Sequence, residues 1–247
     1  MKFHKINFMT LLILSLASSF MACNKEEERL IDENLDLSNK GIIKVYNATL
    51  GSTRNNIYID NVAITGTTGT YAFSSAFPST VYGIAVDPGN RAIQIKDTQT
   101  TSTQKPIDLM ASIEAGKNYT IFTYDTLTQA KGKIVETAIV STDSSRIRFA
   151  NFIFSTTPTP NVDVYSVRKQ ANIFTNVATT QVTDYIPFSS FRNDTLYVRA
   201  TGTTANLTPV FGFSPTRERS YTIVFKGRYQ TTGTTGIARL LTSFPDY

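Results

Sequence analysis

The chain has 247 residues, 41% of them hydrophobic and only 17% charged, with 12 Tyr and 16 Phe. This excludes a disordered acidic or basic chain and, with abundant Thr, favours strands over helices. The single His is His4 and the single Cys is Cys23. Both precede the stretch long enough to fold, so Ser/His and Cys/His catalytic arrangements and zinc sites built on His or Cys are excluded from it. The formal net charge of +5 is spread along the chain without a basic run, which leaves no nucleic-acid footprint.

At the N-terminus, Lys2, His4 and Lys5 lead into an apolar run from Phe8 to Met21, shorter than the ~20 residues that a membrane-spanning helix needs. Residues 1–22 read as a secretory signal peptide. The run closes on Phe20-Met21-Ala22-Cys23, which resembles the lipobox of bacterial lipoproteins, with Phe20 where Leu is usual. The resemblance implies that Cys23 is lipidated and opens the mature protein. The alternative is cleavage after Ala17-Ser18-Ser19, which leaves a lone thiol in an oxidising compartment. Lys25, Glu26, Glu27 and Glu28 follow. They resemble the Lys-plus-acidic export signal of Bacteroidetes-type surface lipoproteins, which implies an outer-membrane address facing the exterior. Residues 23–40 also serve, on charge alone, as a solvated tether.

The remainder repeats itself at a spacing of about 103 residues. Ile42-Ile43-Lys44-Val45-Tyr46-Asn47 lies over Arg146-Ile147-Arg148-Phe149-Ala150-Asn151, each run alternating apolar with basic and closing on Asn. Both predict half-buried strands. Asn56-Ile57-Tyr58-Ile59 lies over Asp163-Val164-Tyr165-Ser166, behind a loop that carries Pro158 and Pro160 in the second copy. Ala92–Lys96 lies over Thr195–Arg199, each behind a turn segment, 87–90 and 192–194, that predicts a hairpin. Tyr119-Thr120-Ile121 lies over Tyr221-Thr222-Ile223. Ile134–Ile139 and Ile237–Leu241 predict a closing strand for each copy. Period two places Ile43, Val45, Ile93, Ile95, Ile147, Phe149, Leu196 and Val198 in the cores, with Lys44, Gln94, Arg148 and Arg199 facing outward.

The strand ending in Asn, then Asn161-Val162-Asp163-Val164-Tyr165, then Glu114-Ala115-Gly116-Lys117-Asn118-Tyr119-Thr120-Ile121 in the other copy, together resemble the domain-of-unknown-function 4397 family. That family is a β-sandwich module repeated in bacterial cell-surface proteins, and the resemblance covers nearly all of residues 41–247. It implies a fold and an address, with no established activity. Asn56 stands where the second copy has Asp163, which argues against a carboxylate site shared by both copies. Short strands with one apolar face each lead to the same architecture, because they bury those faces only against a second sheet. The expected fold is all-β: two tandem immunoglobulin-like antiparallel β-sandwiches, residues 41–142 and 143–247, behind a signal peptide and a flexible tether, with the joint at Asp143-Ser144-Ser145.

Chemistry is scarce in this sequence. Asp60, Asp87, Asp97, Asp163, Asp184 and Asp194 show no partner spacing for acid/base work, and their default role is turn capping. No Asp-x-Asp-x-Asp ladder offers a calcium loop. Gly66-Thr67-Thr68-Gly69 and Gly233-Thr234-Thr235-Gly236 lack the Lys-Ser/Thr of a P-loop. Asp125-Thr126-Leu127 and Asp194-Thr195-Leu196 resemble the O-glycosylation motif of Bacteroidetes. Tyr46, Tyr58, Tyr71, Tyr82, Tyr124, Tyr185, Tyr197 and Tyr229 offer either a stacking face for sugars or cross-strand packing, and three or more exposed together would favour sugars. The expectation is a non-enzymatic surface lipoprotein, without cofactor, metal or catalytic residue, acting in adhesion or structure. The alternative is a glycan-binding accessory protein of an outer-membrane uptake system. Its partners are the outer membrane through the lipid and an extracellular glycan or protein, with no nucleic acid.

Overall fold

The computed structural model describes residues 37–65, 71–140, 143–190, 192–234 and 236–246. In the first copy, β1 (Gly41–Asn47) lies between the short strands β4 (Ala76–Phe77) and β5 (Ile84–Val86) on one side and β8 (Asn118–Tyr124) on the other, with β9 (Lys131–Glu136) beyond β8. A second sheet, in the order β3 (Val62–Ala63), β2 (Asn56–Ile59), β6 (Gly89–Lys96), β7 (Ile107–Ile113), closes over it. Asp60 and Asn61 both have positive φ, 49° and 65°. This two-residue turn matches the right-handed twist of the β2–β3 hairpin that it closes. Between the sheets lie Ile43, Val45, Ile57, Ile93, Ile95 and Ile121, each at most 2% exposed, and each contributes about 1.5–3 kcal/mol by leaving water.

The second copy repeats this plan, with the single strand β13 (Ile186–Phe188) where the first copy has β4 and β5. One sheet runs β13, β10 (Ser145–Phe154), β16 (Ser220–Arg228), β17 (Leu240–Pro245), and the other β12 (Ala171–Val177), β11 (Val162–Ser166), β14 (Asp194–Ala200), β15 (Phe211–Phe213). Ile147, Phe149, Val164, Leu196, Val198 and Ile223 form its core. All eight core positions expected from period two are buried. In both copies the first strand, β1 or β10, pairs in parallel with the Tyr-Thr-Ile strand, Ile43 beside Tyr119 and Ile147 beside Tyr221. The other ladders are antiparallel. The parallel pair arises because the chain visits the opposite sheet between the two strands, and such a crossover is what parallel neighbours require.

The repeat extends to backbone detail. Asn47 and Asn151 are fully buried, each accepting the N–H two residues on, from Thr49 at 3.0 Å and Ile153 at 3.4 Å. This is an Asx turn; it ends β1 at Asn47, whereas β10 runs on to Phe154. Ser74 and Thr180, both left-handed, donate their N–H to the carbonyls of Asn47 and Asn151 respectively. Tyr119 Oη accepts from Glu114 N at 3.1 Å and Tyr221 Oη from Thr216 N at 3.0 Å, the tyrosine corner of sandwich folds.

Two expectations are corrected. The turn segments 87–90 and 192–194 do not close hairpins, because β5 and β13 pair with β1 and β10 while β6 and β14 belong to the opposite sheets. These segments cross between layers, and in the first Arg91 holds the crossing by donating to the Asp87 and Pro88 carbonyls. The closing strands are also displaced: β9 covers Lys131–Glu136 and β17 covers Leu240–Pro245.

The sandwiches stack on each other. The outer side of the β1 sheet packs on the outer side of the β10 sheet, enclosing a third core of Tyr46, Ala48, Phe122, Ala150, Phe152, Val224 and Phe244. The layer order is therefore the β2 sheet, the β1 sheet, the β10 sheet, the β11 sheet. Rings fill the contact, Tyr46 with Phe244 at 5.1 Å and Phe122 with Phe152 at 4.6 Å. This corrects the outward placement of Lys44 and Arg148, which are only 4% and 2% exposed. They do point away from their own core, as period two requires, but that direction leads into the other sandwich.

Candidate functional surfaces

The residues to which the sequence assigned a role at the N-terminus, Cys23, Lys25, Glu26, Glu27 and Glu28, lie outside the described residues. The remaining candidates fall into three places: the seam between sandwiches, the two outermost sheet faces, and the turns.

The seam holds the concentrated charge. Arg148 Nε donates to Thr222 Oγ1 at 2.8 Å, and its Nη2 reaches Thr120 Oγ1, Thr137 Oγ1 and Asp246 Oδ1 at 2.9, 3.1 and 3.3 Å. Asp246 also accepts from Thr222 at 2.6 Å and Tyr185 at 2.8 Å. Lys44 Nζ donates to the carbonyls of Thr80 and Pro245, each at 2.6 Å. Lys226 lies over the Phe73 ring at 4.4 Å. Burial pulls both lysines down to about 8. These contacts fasten the layers to each other.

The outermost faces carry a matched pair of devices. On the β2 sheet, Lys96 Nζ sits 4.5 Å from the centre of the Tyr58 ring; on the β11 sheet, the Arg199 guanidinium sits 3.6 Å from that of Tyr165. Register makes them equivalent, since Asn56 pairs with Lys96 and Asp163 with Arg199. Each cation is the diagonal neighbour of its tyrosine, within reach of a long side chain. The signal was present in the aligned copies as Tyr58 over Tyr165 and Lys96 over Arg199, but it needed the strand pairing to become visible. Gln94 and Arg199 are half-buried on these faces, as expected.

The cations each cover one ring face, of Tyr58 and of Tyr165. Of the eight tyrosines weighed above, Tyr82 is exposed, at 74%, Tyr46 and Tyr71 are buried, and the others are half-buried. The carboxylates cap backbone. Asp60 accepts Ala92 N, Asp97 accepts Gln99 N, and Asp194 accepts Arg168 N and Thr195 N. Asp163 is buried on an outer face and pins the bulged β12 through Asn172 and Asn176 N, and the end of β14 through Thr201, each at 2.8 Å. Its counterpart Asn56 accepts from Thr65 Oγ1 at 3.0 Å, so the two positions serve local pairing in different ways. Among the described residues no group of His, Cys, Asp and Glu is placed to hold a metal ion. Shallow depressions of about 180 Å³ beside Gln94 and Met110 and about 460 Å³ beside Lys105 and Lys131 flank β7.

Fold and surfaces together define an all-β protein of two repeated sandwiches joined face to face. No helix among the described residues is long and apolar enough to cross a membrane. No protein-family model and no curated protein matches the chain.

Proposed function

We propose that this chain is a non-enzymatic surface lipoprotein, a tandem module of the domain-of-unknown-function 4397 type, held by a lipid on Cys23 to the outer membrane and facing outward. Its task in this reading is adhesion or structure: the tether carries a stiff four-layer body whose outer faces are presented to extracellular partners. The observation that supports it is the seam. The buried charges at the seam, Arg148, Asp246 and Lys44, bind the two sandwiches to each other, which suits a body that transmits load better than one that turns over substrate.

Cys23→Ala should release the protein from the membrane fraction or stop its processing, because two or more acyl chains are needed for stable attachment. Retention at wild-type levels overturns the anchor. Replacing Lys25-Glu26-Glu27 by Ala should leave the protein membrane-bound yet shielded from protease added to whole cells. An array of glycans and matrix proteins, probed with the Cys23→Ala chain, distinguishes adhesion to protein from the glycan-binding alternative.

A further inference from the structure

Every sheet in a sandwich has edges, and an unpaired edge invites another strand unless something blocks it. Most edges here are blocked. β12 is broken by register shifts, with Asn176 left-handed. β15, the counterpart of β7, is three residues long. β9 carries Lys131, Lys133 and Glu136, and β17 ends in Pro245. By contrast β7 runs seven residues, Ile107-Asp108-Leu109-Met110-Ala111-Ser112-Ile113, in unbroken register with β6. Among the described residues no strand pairs with its other edge.

Which backbone groups of β7 are free follows from the hydrogen bonds of β6. The Ala92 carbonyl accepts from Asp60 N and the Ala92 N–H is taken by Asp60 Oδ1, so Ala92 and every second residue of β6 turn their backbone toward β2. Arg91, Ile93 and Ile95 turn theirs toward Ala111, Leu109 and Ile107. Asp108, Met110 and Ser112 therefore point their N–H and C=O groups outward along the edge. Their side chains stand on the solvent face, where Met110 is 71% exposed.

We propose that β7 pairs antiparallel with β7 of a second copy of this chain, about a two-fold axis at Met110. In that register Met110 faces Met110 of the second copy and Asp108 faces Ser112, so the three residues with free backbone groups meet one another and every outward group finds a partner. Slipping the register by two residues in either direction leaves part of the edge unpaired, and centring it on Asp108 sets two carboxylates face to face, which is unfavourable. The pairing joins two four-stranded sheets into one of eight strands across the copies, and the isologous contact closes on itself. The depressions flanking β7 would receive side chains of the added strand. Lipid anchoring on one membrane raises the effective concentration for such a contact.

The test uses the full chain with Cys23→Ala, so that neither lipid nor native thiol enters. Hydrogen-bonded partners in an antiparallel pair have Cα atoms about 5.5 Å apart, within disulfide range. Met110→Cys in this background should give a disulfide-linked dimer under mild oxidation, whereas Gln99→Cys, on an exposed turn, should not. Ser112→Asp places a carboxylate opposite Asp108 twice per dimer and should raise the dimer dissociation constant about tenfold in sedimentation, while Ser112→Lys should lower it. Sedimentation as a monomer at all concentrations together with equal crosslinking of the Met110→Cys and Gln99→Cys chains overturns the proposal. So does a dimer indifferent to both Ser112 variants, which would place the contact elsewhere.

Discussion

Arg148 of the second sandwich lies 2.9 Å, Nη2 to Oγ1, from Thr120 of the first, and its Nε lies 2.8 Å from Thr222, the residue that takes the place of Thr120 in the second copy. One guanidinium thus binds the same threonine of both repeats, and Asp246 completes its shell at 3.3 Å. With both charged side chains at most 2% exposed, removing one partner strands the other.

Asp246→Ala is accordingly expected to cost about 3–5 kcal/mol, because it leaves a buried arginine without its counter-charge. Arg148→Met with Asp246→Leu should be far less damaging than the sum of the single changes. Urea unfolding of the singles and the double measures the coupling; additive costs would mean that the pair does not interact in solution.

Much of this was legible in the sequence. Ile43, Val45, Ile147 and Phe149 were placed in the cores by alternation alone, and the repeat located four matched strands per copy. What alternation could not say was what stood on the other side. Lys44 and Arg148 look like solvent-facing residues because period two fixes a direction, not a destination, and the second sandwich waits in that direction. The segments 87–90 and 192–194 were read as hairpins for a similar reason: a turn signal marks where the chain bends, whereas sheet membership is decided by packing. The base-on-tyrosine pairs were hidden because diagonal neighbours depend on register.

The seam also sets the pH dependence. Lys44 and Lys226 titrate near 8 in the fold, held down chiefly by burial, against about 10.4 in the unfolded chain. Between those values the unfolded chain holds more protons, so stability should rise as pH increases from 8 toward 10. Burial pushes Tyr46 up to about 12 and Tyr71 and Tyr185 upward as well. Above the ordinary tyrosine value the unfolded chain loses those protons first, so stability should fall again. Urea midpoints across this range should pass through a maximum near pH 10. Lys226→Met should flatten the rise and add about 1–2 kcal/mol at pH 7; a loss of stability there would contradict the buried placement.

Tyr119 and Tyr221 make the same corner but in different surroundings. The bond from Glu114 N to Tyr119 is partly buried and that from Thr216 N to Tyr221 is exposed, so water can replace the second more easily than the first. Tyr119→Phe should cost about 1–2 kcal/mol and Tyr221→Phe about half of that or less. Equal costs would show that the corners are equally solvated.

At Gly227 the second sandwich leaves no room for a side chain. It has φ of 101° in β16 and pairs with Ile153 of β10, while a Cβ there would stand 2.1 Å from the Ala238 carbonyl oxygen. Backbone meets backbone at this point, and no rotamer change relieves the overlap. Gly227→Ala combines that overlap with a backbone conformation that alanine resists, and should cost at least about 2 kcal/mol. Gly212 in β15 supplies the control, because a Cβ there meets nothing within 4 Å, and Gly212→Ala should be neutral or stabilising by about 0.5–1 kcal/mol. Thermal unfolding of the two variants side by side separates the demand for close approach from the general weakness of glycine in strands. If Gly227→Ala unfolds no earlier than Gly212→Ala, Ala238 leaves room for a Cβ beside β16 and the end of the second sandwich is not held as described.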